Sequence, residues 1–151
     1  MKQSTKIDYE HYDSLQDLPA QDYALVQAAR AAAESAHAPY SHFKVGAAAR
    51  LHSGEIISAA NCESEVFPSG MCAERSLIYF HASNHSGDAI KALAIVSSPS
   101  ERECYPCGAC RQALLDAEKR QQNPIRIIMA SDSTATVVES AEVLLPFTFK
   151  L

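Results

Sequence analysis

Two short segments constrain this chain more than anything else in it: Cys72-Ala73-Glu74-Arg75 and Pro106-Cys107-Gly108-Ala109-Cys110-Arg111-Gln112. Each stands where an apolar helical pattern begins, and a strand-like run, Ala89 to Val96, lies between them. Together they offer three thiolates and one carboxylate. Three thiolates can hold Zn²⁺ and leave its fourth tetrahedral position to water, the layout of a catalytic rather than a structural site. A structural zinc would need a fourth ligand, which Cys62 or Cys104 could supply, and a lone Cys-x-x-Cys also occurs in redox sites. An iron–sulfur run starting at Cys104 fails, because Leu114 and Leu115 occupy the stretch where a further Cys followed by Pro is required. The fold must therefore bring two helix starts to one point.

The rest of the chain supplies the scaffold for that. Residues 1–18 read as a polar arm that packs loosely or against a neighbour, and residues 19–151 as a single domain, since no linker or repeat interrupts them. From Pro19 the pattern is helical, with Asp22 complementing the positive end and Leu25, Ala28, Ala29, Ala32 and Ala36 on adjoining faces. Ala38-Pro39-Tyr40-Ser41 stops it. Phe43 to Leu51 and Ile56 to Ala60 read as strands around a His52-Ser53-Gly54-Glu55 turn. Ala73 to Ala82 and Ala109 to Arg120 then read as helices, and Ile125 to Ala130 as a strand, with short strands near Thr136 and Val143. Strands separated by helices require crossover connections, so the class is α/β, three layers α/β/α on a mixed five-stranded sheet.

Composition excludes several alternatives. A chain of 151 residues, 47% hydrophobic, buries a core without staples. The net charge of −5 and the lack of a dense Lys/Arg run argue against nucleic acid as a partner, because that affinity comes from cationic contacts to phosphate. No stretch approaches a membrane span, and Met1-Lys2-Gln3-Ser4 leads into no apolar signal core. With an odd number of cysteines, five, reduced thiols in the cytoplasm are expected. Helix N-termini favour the thiolate form, and Arg75 and Arg111 each follow a ligand closely enough to offset the net negative charge of a three-thiolate zinc site, Arg75 being the better placed.

Four blocks in order extend these segments: Ala38-Pro39-Tyr40-Ser41-His42-Phe43-Lys44-Val45-Gly46-Ala47-Ala48, then Asn61-Cys62-Glu63, then the two cysteine segments, then Leu144-Leu145-Pro146-Phe147-Thr148-Phe149. With them the chain resembles the small, three-cysteine cytidine deaminases, zinc enzymes that usually form homotetramers. Relatives acting on nucleic acid place His where Cys72 stands, so Cys72 matches the free-nucleoside branch. The resemblance implies one Zn²⁺ per subunit on Cys72, Cys107 and Cys110, water activated there to attack C4 of cytidine or deoxycytidine, Glu74 as proton shuttle, and a place in pyrimidine salvage. It also implies that Phe43 packs on the pyrimidine, that Asn61 and Glu63 hydrogen-bond the ribose 3′-hydroxyl, that Ala73 and Phe67 border the substrate, and that Phe149 closes over the base from another subunit, with Phe147 as competitor. Two positions depart from the family pattern: Ser64 stands where Asn is usual, and Phe67 where Tyr is usual. These touch substrate detail and leave the zinc site and Glu74 alone.

Overall fold

The computed structural model describes residues 1–151. Its helices are α1 (Ala20–Ala33), α2 (Ala73–Asn84) and α3 (Gly108–Gln121), and its strands are β1 (Glu10–Tyr12), β2 (Lys44–Leu51), β3 (Ile56–Ala60), β4 (Ile90–Ser98), β5 (Arg126–Ala130) and β6 (Ala135–Val138). The strands form one sheet in the order β1-β6-β5-β4-β2-β3, parallel only between β4 and β5, where α3 makes the crossover. Alternate residues face opposite layers. Ala47, Ala49, Leu93, Ile95, Ile127 and Met129 pack with Leu77, Ile78, Leu114 and Leu115 of α2 and α3. Ala48, Ala94, Val96, Ile128 and Ala130 pack with Leu25, Val26 and Ala29 of α1. The three-layer class holds, and the central strands are buried on both faces, as a sheet sandwiched by helices requires.

The sheet has six strands, not five. The additional one lies within the expected arm: Glu10, His11 and Tyr12 pair antiparallel with Val137, Thr136 and Ala135. Three residues with charged and aromatic side chains carry too little alternation to reveal a strand, and β6 supplies the partner. Leu15 and Leu18 follow it into the α1-side core, so the arm from Glu10 onward is packed on the sheet rather than loose. Val143, expected in a strand, sits in a 3-10 turn, Ala141–Leu144, that Ser140 caps through Glu142 N–H.

Asp22 does more than face the helix dipole. It is buried and accepts from Arg126 Nε at 2.8 Å and Arg50 at 3.4 Å, tying the start of α1 to β2 and β5. The alanines of α1 let it approach β2 so closely that a Cβ on Gly46 would lie 1.9 Å from the Ala29 carbonyl oxygen and 2.6 Å from the Ala33 nitrogen. Both are backbone atoms and cannot swing aside. Gly46→Ala is expected to destabilise the fold by about 3 kcal/mol or more, seen as a lower urea midpoint; an unchanged midpoint would mean α1 can lift from the sheet at no cost.

Candidate active site and metal centre

Cys72 and Cys107 occupy the same position on neighbouring helices, the N-cap, each with extended backbone and neither spending its side chain on the cap. Because α2 and α3 lie on the same face of the sheet, both positive ends meet. Cys110, in the first turn of α3, is fully buried behind them. The three Sγ atoms lie within 4.8 Å of one another, and Cys107 and Cys110 are 3.5 Å apart. Three sulfurs about 2.3 Å from one tetrahedral ion stand about 3.8 Å apart, so the cluster fits Zn²⁺ with small adjustment. Neither Cys62 nor Cys104 belongs to the cluster, which leaves the fourth position to a non-protein ligand.

Its electrostatics suit a cation. In the metal-free chain the Cys72 thiol is lowered to about 5, first by the hydrogen bond from Cys110, against burial, and then by Arg75, whose guanidinium donates to Cys72 Sγ at 3.6 Å. The Cys110 thiol, donating that bond from a buried position, is held above its ordinary value. Arg75 is where the sequence put it. Arg111 is not: its Nε donates to the Pro106 carbonyl at 2.8 Å and a terminal nitrogen to the Leu144 carbonyl at 3.0 Å, pinning the C-terminal segment to the start of α3.

Cys72 and Cys107 of the cluster line a cavity of about 670 Å³ that Glu74 also borders, with Cys110 behind them. Glu74 is 4% exposed, and burial raises its carboxyl above the usual range. A carboxyl so placed holds its proton more tightly than a solvated one, which suits a group that must accept protons as well as pass them on.

Of the other expected site residues, Phe43, Asn61, Glu63 and Phe67 border the same cavity. Asn61 is committed to β2, accepting from Val45 N–H at 2.7 Å and donating to the Phe43 carbonyl at 3.0 Å. Glu63 accepts from the Tyr40 N–H at 2.9 Å, the Ser41 N–H at 3.2 Å and the Ser41 hydroxyl, which together hold its carboxyl below the usual range. Ser64, the shorter residue at a position of departure, accepts from Val66 N–H and Ser69 Oγ and so shapes the Phe67–Ser69 turn. Ala73 is fully buried and Phe149 is exposed; neither lines the cavity. Sequence reasoning missed Tyr40, Ser41, Met71 and Tyr105, all on its wall, and weighed Cys104, which also lies there, only as a metal ligand. Only Tyr40 and Ser41 carried a signal, lying in the block before Phe43.

Cys104 tests the ligand set. Burial pushes its thiol up to about 12, and it stands on the wall rather than in the cluster. Cys104→Ser is expected to retain one zinc per chain by atomic absorption, and half or less would show that it is a ligand.

Paired helix N-termini that gather three cysteine sulfurs beside a pocket with one buried carboxyl define a class: α/β proteins that bind zinc and present it to a small molecule. Residues 19–123 match the family model for the cytidine and deoxycytidylate deaminase zinc-binding region, and the chain belongs to that family. It is 37% identical over 87 residues to a probable cytidine deaminase of Dictyostelium discoideum, a match spanning 58% of each chain. A cytidine deaminase of Mycobacterium tuberculosis is 33% identical over 114 residues, covering 72% of this chain and 84% of that protein. The crystal structure of cytidine deaminase from Burkholderia pseudomallei superimposes with a TM-score of 0.74 at 33% identity, covering 84% of this chain and 98% of that one.

Proposed function

We propose that the protein catalyses the hydrolytic deamination of cytidine and deoxycytidine to uridine and deoxyuridine, releasing ammonia. The observation that carries this reading is the buried Glu74 carboxyl bordering the same cavity as Cys72 and Cys107 of the three-sulfur cluster. Zn²⁺ held by Cys72, Cys107 and Cys110 would supply the Lewis acidity that makes water a nucleophile at neutral pH.

The chain's own groups do the rest. Glu74 takes one proton from the attacking water and gives it to pyrimidine N3, then takes the second from the new C4 hydroxyl and gives it to the departing amino nitrogen, so that water and cytidine leave as uridine and ammonia. Arg75 donates to Cys72 and offsets the excess negative charge of three thiolates. Phe43 packs on the pyrimidine. Asn61 acts mainly by fixing the Phe43–Val45 backbone, while Glu63 keeps lone pairs free for a sugar hydroxyl beyond those it gives to Tyr40 and Ser41. Phe67 borders the sugar side, and Ala73 offers backbone at the helix start.

Phe149 is read as closing over the base of a neighbouring subunit in a homotetramer. Support comes from the exposure of Phe67, Tyr79, Phe80, Phe147 and Phe149, more aromatic surface than a lone domain is expected to leave in water. The five cysteines form no disulfide, which supports a cytoplasmic setting in nucleoside salvage. Residues 19–151 are read as the catalytic unit, in line with the family model over residues 19–123, with β1 of the preceding arm completing the edge of its sheet.

Ultraviolet absorbance of the zinc-loaded protein with cytidine, deoxycytidine and free cytosine tests the reading. The band is expected to fall with the two nucleosides and not with the base. No change with either nucleoside would overturn it.

A further inference from the structure

The β4–α3 connection, residues 99–107, delivers Cys107 to the metal centre, and it is anchored at its middle as well as at its ends, where the Pro99 and Pro106 carbonyls accept from Ser97 Oγ and Arg111 Nε. Tyr105 borders two cavities, the pocket of about 670 Å³ and an adjoining cleft of about 690 Å³. Phe43 and Cys104 are the only other residues common to both. The tyrosine therefore stands on the divide between them. Its ring is half exposed, yet its hydroxyl is tied from behind, donating to Glu103 Oε2 at 2.8 Å.

Glu103 is itself fixed. It is 8% exposed, and its other oxygen accepts from Thr134 Oγ1 at 2.8 Å, with His11 Nδ1 at 3.6 Å. His11 belongs to β1, and the same nitrogen lies 3.2 Å from Thr136 Oγ1 on β6. The Cys104 N–H donates to the Ala130 carbonyl at 3.2 Å, fastening the connection to the end of β5. A buried carboxylate that joins one exposed ring to Thr134, in the turn between β5 and β6, and to His11 of β1 costs desolvation that a surface loop does not require. Setting the angle of that ring is what it accomplishes.

We infer that Tyr105 is a specificity-determining wall between the nucleoside pocket and the adjoining cleft, and that Glu103 is the positioning residue holding it there. The inference rests on the reading of the pocket as a cytidine site. An aromatic wall held by its hydroxyl loses no rotamer freedom when a nucleoside packs on it, so binding is favoured while the chemistry at the metal centre is not altered.

Steady-state kinetics of the zinc-loaded protein with cytidine test it through Tyr105→Ala, Tyr105→Phe, Glu103→Ala and the double variant Tyr105→Phe/Glu103→Ala. Tyr105→Ala is expected to raise KM about tenfold, with kcat within about threefold and zinc content unchanged. Tyr105→Phe and Glu103→Ala are each expected to raise KM about threefold, and the double variant no more than the larger single, because both break one contact. A KM within twofold of the parent for Tyr105→Ala, or single effects that multiply in the double variant, would overturn it. Should Glu103→Ala fail to fold, Glu103→Leu, which keeps the volume but accepts no hydrogen bond, takes its place in the cycle with the same expectation. Cytidine turnover by the parent tests the underlying reading separately. The cytidine Kd in a Glu74→Gln background tests the wall without turnover: a loss of about tenfold on Tyr105→Ala supports it, and an unchanged Kd overturns it.

Discussion

Glu74→Gln keeps its zinc and its fold and turns cytidine over more slowly by about 10²–10⁴-fold, the range spanned by positioned acid–base groups. The amide has the shape of the carboxyl but can neither take a proton from water nor give one to the leaving amine. The same substitution has an opposite effect on stability. Burial raises the Glu74 carboxyl in the metal-free chain, so the folded state binds that proton more tightly than the unfolded state does. Its contribution to stability is therefore full below the ordinary glutamate pKa and is lost as pH rises through the higher folded value. Gln carries no such dependence. Metal-free Glu74→Gln is expected to melt at a higher temperature than the metal-free parent at pH 8, with the gap closing toward pH 4, as read by calorimetry. Turnover within tenfold of the parent would remove Glu74 from the proton-transfer role, whatever the melting shows.

What could be read from the sequence followed the range of the interactions involved. The starts of α2 and α3 were legible to within a residue, because the N-cap cysteines and the apolar period that follows are local signals, and Ile56–Ala60 was bounded by its own turn. The cluster was legible for the same reason: three thiols at two helix starts can converge only if the helices are neighbours. β1 was not, since its strand character comes from β6, more than 100 residues away in the chain. Asn61 and Glu63 were placed in the pocket, but their engagement with Val45, Tyr40 and Ser41 depends on how the chain before β2 folds back over β3. Arg111 was misdirected by proximity: it follows Cys110, yet the Leu144 carbonyl is the better acceptor within reach. Tyr105 gave no signal because its setting is made by Glu103, Thr134 and the strand that the sequence hid. Sequence spacing thus located the chemistry and left the walls around it to tertiary contacts.

Cys110→Ser separates the metal from the fold. The two halves of the core close without it: α2, α3 and one face of the sheet through Leu77, Ile78, Leu93, Leu114 and Ile127, and α1 and the other face through Leu25, Val26 and Ile128. A hydroxyl fills nearly the volume of the thiol at this fully buried position in the first turn of α3, so little packing is lost. Coordination is lost, because a serine hydroxyl stays protonated where a cysteine gives a thiolate. Shared among four ligands, the binding free energy of a structural zinc amounts to roughly 3 kcal/mol for each, so zinc affinity is expected to fall about 10²–10³-fold or more. The purified variant should carry a small fraction of the parent's zinc and show no cytidine turnover, while its far-ultraviolet circular dichroism matches the parent's. The identical exchange at Cys104, on the wall of the same cavity, should change neither reading. Full zinc in Cys110→Ser would break the ligand assignment, and loss of the dichroism signal would mean that the metal holds the helices together rather than resting on a scaffold already built.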